Sequence, residues 1–123
     1  MNNTRPKTII CDINGTLVYH RDPHTVSKSN HKMELLIGTI EKLLEWERKG
    51  YNIILLTGRK ESMREVTENQ LREIGIFYDQ LIMGVGGGAR YLINDSKPDG
   101  EQSAFAINIE RNLGIGGINI WFY

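Results

Sequence analysis

The stretch Ile9-Ile10-Cys11-Asp12-Ile13-Asn14-Gly15-Thr16-Leu17 decides how the rest of this chain is read. An apolar run rich in β-branched residues delivers an aspartate and then breaks at Asn-Gly, a turn signal. The pattern predicts a strand over 7–13 that empties into a loop, with Asp12 at its carboxyl end. In open α/β sheets ligands bind there, because loops converge above the strand ends. Side chains alternate along a strand, so Cys11 and Asp12 are expected on opposite faces. Asp12 and Asn14 share a face as far as the extended form lasts.

Downstream, Thr39 can cap a helix whose apolar positions Ile40, Leu43 and Leu44 follow helical spacing, with Trp46 flanking the stripe. Arg48 and Lys49 precede Gly50, a helix stop. The run 51–56 is almost continuously apolar, as a parallel strand covered on both faces would be. Thr57-Gly58-Arg59 closes it. Ser62-x-x-Glu65 has the form of a capping box opening a second helix, with Met63, Val66, Gln70, Leu71 and Ile74 on one side and Gly75 as terminator. Further strands are expected over 80–83, 90–94 and 104–109, the fourth ending at Asp95. The five-residue loop from Gly84 to Gly88 lacks the Lys-Ser/Thr ending of a P-loop. The apolar tail 118–123 reads as an edge strand or a subunit contact.

Strand, helix, strand, helix, strand argues for a mainly parallel sheet with right-handed crossovers. Residues 1–123 are expected to form one domain, with a polar flap at about 19–33 containing Pro23 and all three histidines. Pro23 argues against a helix linking His20 and His24, so solvated flap residues are expected there rather than a histidine metal site.

Fifteen basic and fifteen acidic side chains cancel, which gives no charge-based reason to expect nucleic-acid or membrane partners. No apolar run approaches the ~20 residues that span a bilayer. The single cysteine cannot form an internal disulfide, and the polar start has no apolar signal core. A cytoplasmic location follows as an expectation.

On this layout Asp12, Thr57 and Asp95 all lie just past strand ends. Two carboxylates close together repel unless a cation lies between them, and few hard oxygen ligands suit Mg²⁺. A threonine hydroxyl, a loop amide and a basic side chain would complete a phosphate cradle. An aspartate held there can attack phosphorus.

These residues carry a resemblance. Asp12-Ile13-Asn14-Gly15-Thr16-Leu17 resembles the first motif of the haloacid dehalogenase (HAD) superfamily of phosphatases, Asp-x-Asp-Gly-Thr-Leu. Leu56-Thr57-Gly58-Arg59 is similar to its second motif and Ile93-Asn94-Asp95 to its acidic fourth. The resemblance implies a Rossmann-like α/β fold, a three-layer sandwich around the mainly parallel sheet with no cap domain, and a Mg²⁺-dependent phosphomonoesterase. Asp12 would be the nucleophile and Thr57, with Gly58, would bind phosphate. Asp12, Asp95 and the main-chain carbonyl of Asn14 would hold the metal. Asn14 stands where the family has its acid/base aspartate, and an amide transfers no proton. It reads either as an inactivating substitution that traps a complex or as a natural variant with weakened turnover. Asn-Gly is also prone to deamidation, which would restore a little aspartate. The third-motif lysine is missing between Lys60 and Lys97, leaving Arg90 and Lys97 as candidates, with Arg90 preferred for its fork geometry.

Capless relatives take large substrates or close their sites with a neighbouring subunit, so a homo-oligomer is expected. A small sugar phosphate is the expected substrate by analogy alone. A nucleic-acid 3′-phosphate fits the neutral charge and sparse aromatic residues less well. A non-catalytic module that senses a phosphorylated ligand is the alternative. A receiver domain phosphorylated on aspartate ranks below both, because such domains carry the acceptor after the third strand.

Overall fold

A computed structural model describes residues 5–26, 28 and 30–120. Three parallel strands, β1 (Thr8–Asp12), β2 (Asn52–Leu56) and β3 (Gln80–Ile82), lie in the order β1-β2-β3. Their register aligns Cys11 with Leu55 and Leu81, and Asp12 with Leu56 and Ile82. One face of the sheet therefore presents Cys11, Leu55 and Leu81, all buried, while the other carries Asp12 and the exposed Ile82. Cys11 and Asp12 do point to opposite faces.

Helices α2 (Thr39–Arg48) and α3 (Arg64–Glu73) make the two crossovers. Successive right-handed crossovers running the same way along a sheet place both helices on one face. Leu43 and Trp46 of α2 and Leu71 of α3 join Cys11, Ile53, Leu55 and Leu81 in one core, which Ile115 and Ile120 complete from the far end of the chain. Each helix stops just short of the glycine expected to end it. The result is the expected Rossmann-like α/β fold without a cap, with the third layer of the expected sandwich absent among the described residues, since Ile10 and Ile82 on the other face are exposed.

Several local expectations are corrected. Thr39 does not cap α2: Gly38 holds the N-cap position, and the buried Thr39 hydroxyl donates to the carbonyl of Leu17 at 2.7 Å. Leu44 is partly exposed, and Lys42 takes its place on the buried stripe. The capping box does not form. Glu61–Met63 is a 3₁₀ turn, and α3 starts at Arg64 with no side-chain cap. Within the flap a short helix, α1, covers Pro23–Val26. Proline opens it because the first helical turn needs no N–H from that position, and Asp22 accepts from the N–H and hydroxyl of Thr25.

The fourth and fifth strands are not formed. Residues 90–95 and 104–109 are irregular, with Tyr91 88% and Ile93 92% exposed. Strand propensity is realised only against a neighbouring strand and a packed face, and the preceding glycine loop offers neither. No strand forms over 118–120, although Ile120 is buried in the core. Trp121, Phe122 and Tyr123 lie outside the described residues. No helix among the described residues is long and apolar enough to cross a membrane.

Candidate active site

Because Asp12 pairs with Leu56 in parallel register, Ile13 and Thr57 leave the sheet side by side. The two motif loops therefore start from adjacent strand ends. The first is a tight turn. The N–H groups of Thr16, Leu17 and Val18 all converge on the carbonyl of Ile13, at 3.2, 2.9 and 3.2 Å. Gly15 takes the left-handed conformation there, φ 84°, and its N–H donates to the carbonyl of Val18 at 2.8 Å.

This turn brings Thr16 back over the strand end, where its hydroxyl lies 3.5 Å from Oδ2 of Asp12. From the other side the Arg90 guanidinium donates from Nη1 to Oδ1 of Asp12 at 3.2 Å and from Nη2 to the carbonyl of Gly86 at 3.3 Å. Asp12 and Arg90 side chains remain 37% and 39% exposed, so the site is open to solvent. Among the described residues Arg90, preferred over Lys97 from the sequence, is the basic side chain that pairs with Asp12.

Thr57 is buried and fixed by its backbone: its N–H donates to Ile82 at 3.0 Å and its carbonyl accepts from Val85 at 3.0 Å. Its Oγ1 accepts the Arg59 N–H at 3.2 Å, which leaves the hydroxyl proton for another acceptor. At Gly58 a β-carbon would stand 3.1 Å from the Val85 carbonyl, tight enough to favour glycine.

Arg59 turns away from the strand ends. Its Nη1 donates to Thr67 Oγ1 at 2.8 Å and Gln70 Oε1 at 2.6 Å, and its Nη2 is buried without an acceptor among the described residues. Burial lowers the Arg59 pKa from its ordinary value. Beneath the site, burial first and then the charge of Asp12 push the Cys11 thiol up to about 12, so it stays a neutral core group.

Among the described residues Asn14 makes no side-chain hydrogen bond, and its main-chain carbonyl accepts no backbone N–H. That free carbonyl stands two residues from the Asp12 carboxylate. Two such oxygens suit a hard cation that keeps most of its waters, so the donor chemistry fits Mg²⁺. Asp95 lies on the irregular exposed stretch rather than at a strand end; Ser103 and Asn94 donate to its main-chain carbonyl. Lys97 sits in a turn, where its N–H donates to Glu101 at 2.9 Å. Among the described residues no hydrogen bond or ion pair joins Asp95 or Lys97 to Asp12, and no cluster of three His, Cys, Asp or Glu side chains could hold a metal.

Sequence reasoning missed two contributors. Thr16 was part of a recognised motif, but its approach to Asp12 depends on how tightly the turn closes. Asn112 adopts φ 67°, donates its N–H to the Gly15 carbonyl at 2.8 Å and accepts the His20 N–H on Oδ1 at 2.8 Å. It clamps the first loop from almost a hundred residues away, which no local pattern announces.

A family profile described as the polynucleotide kinase PNKP phosphatase domain, of HAD type, matches residues 6–91. That span includes Asp12, Asn14, Thr57, Gly58 and Arg90, and ends before Asp95 and Lys97. A structure titled as the Pnkp1/Rnl/Hen1 complex shares 34% identity and a TM-score of 0.56 over 73% of this chain. A second, titled as the Pnkp1/Rnl/Hen1 RNA repair complex, shares 36% identity and a TM-score of 0.55 over 67% of it. The matched part is 32% of the first of those chains and 27% of the second, so this chain spans about a third of their length or less. A structural-genomics protein from Vibrio cholerae is 19% identical, with a TM-score of 0.56 over 93% of this chain and 90% of its own, a likeness of fold. No curated protein matches significantly.

Proposed function

Because the chain belongs to the PNKP phosphatase-domain family of HAD phosphatases, we propose that it hydrolyses phosphomonoesters through an aspartyl-phosphate on Asp12. The observation that carries this reading is the Arg90–Asp12 contact at 3.2 Å, beside the loop that begins at Thr57. A cation and a carboxylate held together at the strand ends suit a site that must accept a dianionic phosphate next to an anionic nucleophile.

In the first step an oxygen of Asp12 attacks phosphorus as the bond to the ester oxygen breaks. Arg90 neutralises the incoming phosphate, and Thr57 and the Gly58 loop orient it. Asp12 and the carbonyl of Asn14 would hold Mg²⁺, which would supply charge neutralisation, while Asp95, the family's further ligand, would have to be brought to them from the exposed stretch after Arg90. In the second step water cleaves the acyl phosphate and restores Asp12. Asn14 can hydrogen-bond the departing oxygen but cannot protonate it. Turnover in this form therefore depends on a leaving group that departs as an anion.

The substrate class rests on the openness of the site. A nucleophile more than a third exposed, with no cap above it, suits an ester at the end of a large molecule. The family's description as a polynucleotide kinase phosphatase domain and the similar structure titled as an RNA repair complex make a polynucleotide-end phosphate the first candidate. The balanced charge of the chain weighs against it, and a small sugar phosphate is its competitor. A cytoplasmic location and self-association belong to the same proposal, supported by the single buried thiol and by the exposed apolar residues of 91–93. Asn14 favours a second reading, a module that binds the phosphorylated ligand without turning it over.

The test is Asn14→Asp. With an acid/base restored, hydrolysis should rise ~10²–10⁴-fold, more on alkyl than on aryl phosphates. Asp12→Asn in that background should abolish it. A 3′-phosphorylated oligonucleotide and a sugar phosphate, assayed side by side, separate the two substrate classes. Ligand binding with no turnover after Asn14→Asp would establish the binding module instead.

A further inference from the structure

The flap leaves the first motif loop at Tyr19, yet part of what holds it comes from the second. Arg59, two residues after Thr57, gives Nη1 to Oε1 of Gln70 at 2.6 Å. With its oxygen facing a guanidinium, the Gln70 amide has one sensible orientation, and its nitrogen must point the other way. There Nε2 donates to the flap carbonyls of Lys28 and His31, both at 3.3 Å. Gln70 is 1% exposed and Thr67, which shares the Arg59 nitrogen, is fully buried. A buried amide bridging a cation to two backbone carbonyls is costly to leave half-satisfied.

We propose that Gln70 is a positioning residue, a strut through which Arg59 of the phosphate loop sets the resting place of the flap at Lys28 and His31. Thr57 Oγ1 accepts the Arg59 N–H, and the Arg59 carbonyl accepts from Gly84 at 2.6 Å. A shift of the phosphate loop is thus passed to the flap through one side chain. The functional consequence rests on the phosphatase reading; the strut itself does not, and the experiment reads the strut directly.

Amide hydrogen exchange of the unaltered chain and of three variants is compared over flap peptides spanning 28–33. Gln70→Glu keeps an acceptor for Arg59 and removes the donor to the flap. Arg59→Lys removes the fork at a residue that makes no hydrogen bond to the flap among the described residues. Thr67→Val removes the neighbouring acceptor and leaves the bridge intact. Flap exchange should quicken at least tenfold in Gln70→Glu and in Arg59→Lys, with β2 unchanged, and stay as it was in Thr67→Val. Equal acceleration in all three, or none in the first two, overturns the proposal. If Gln70→Glu does not fold, Arg59→Lys against Thr67→Val decides alone. In an active Asn14→Asp background the strut predicts that Gln70→Glu raises KM more than it lowers kcat. A fall in kcat with unchanged KM counts against it, and absence of any turnover in that background would fail the phosphatase reading while leaving the exchange result standing.

Discussion

Replacing Arg90 by glutamine separates what this side chain does for stability from what it does for chemistry. Arg90 and Asp12 meet at 3.2 Å, but their side chains are 39% and 37% exposed. Ion pairs that wet contribute ~0–1 kcal/mol, so Arg90→Gln should lower the unfolding midpoint by no more than about 4 °C. In catalysis the same guanidinium meets a dianion in place of one carboxylate oxygen. A hydrogen bond to a charged group is worth ~1.5–3 kcal/mol, and each 1.36 kcal/mol of barrier is about tenfold in rate. The expected loss in kcat/KM is therefore ~10–150-fold, measured with p-nitrophenyl phosphate in the Asn14→Asp background. Lys97→Gln, measured in parallel, should change it less than threefold, since Lys97 has no hydrogen bond or ion pair to Asp12 among the described residues. A larger effect from Lys97 than from Arg90, or an Arg90→Gln enzyme of full activity, would refute the assignment of Arg90 as the third-motif cation.

Two further outcomes are expected. Gly38→Ala should destabilise the chain by ~1–3 kcal/mol, read by urea unfolding, because φ is 92° there and a β-carbon would stand 2.9 Å from the Cα of Gly116. The Cys11 thiol, raised from 9.0 to about 12 when folded, contributes stability that is complete below pH 9 and is lost as the pH rises through about 12. Unfolding at pH 7 and pH 10 should show a steeper alkaline decline for the unaltered protein than for Cys11→Ala.

The elements legible in the sequence are those with short-range causes. β1 and β2 follow from apolar runs, and α2 and α3 from helical spacing that a glycine ends. Asp12 and Thr57 were placed correctly because a parallel sheet puts successive strand ends side by side. Helix starts were less legible. At Thr39 a hydroxyl suited to capping found the Leu17 carbonyl instead, a partner 22 residues away. Pairing decided the failures further along. Tyr91-Leu92-Ile93 has the composition of a strand, but nothing local supplies it with a neighbour. The Asn112 clamp and the Gln70 bridge were invisible for the same reason: each is a single polar side chain whose partner is distant in sequence.

The closed turn after Asp12 also governs how Asn14 ages. Cyclisation to a succinimide needs the following backbone nitrogen to attack the side-chain amide carbon. In the native loop that nitrogen belongs to Gly15 and is committed to the Val18 carbonyl at 2.8 Å. An Asn-Gly pair that would decay quickly in a free peptide is thus shielded by its own fold, and the reaction waits on transient opening of the loop. Stored protein should keep its amide while folded and convert to the carboxylate mainly during denaturation.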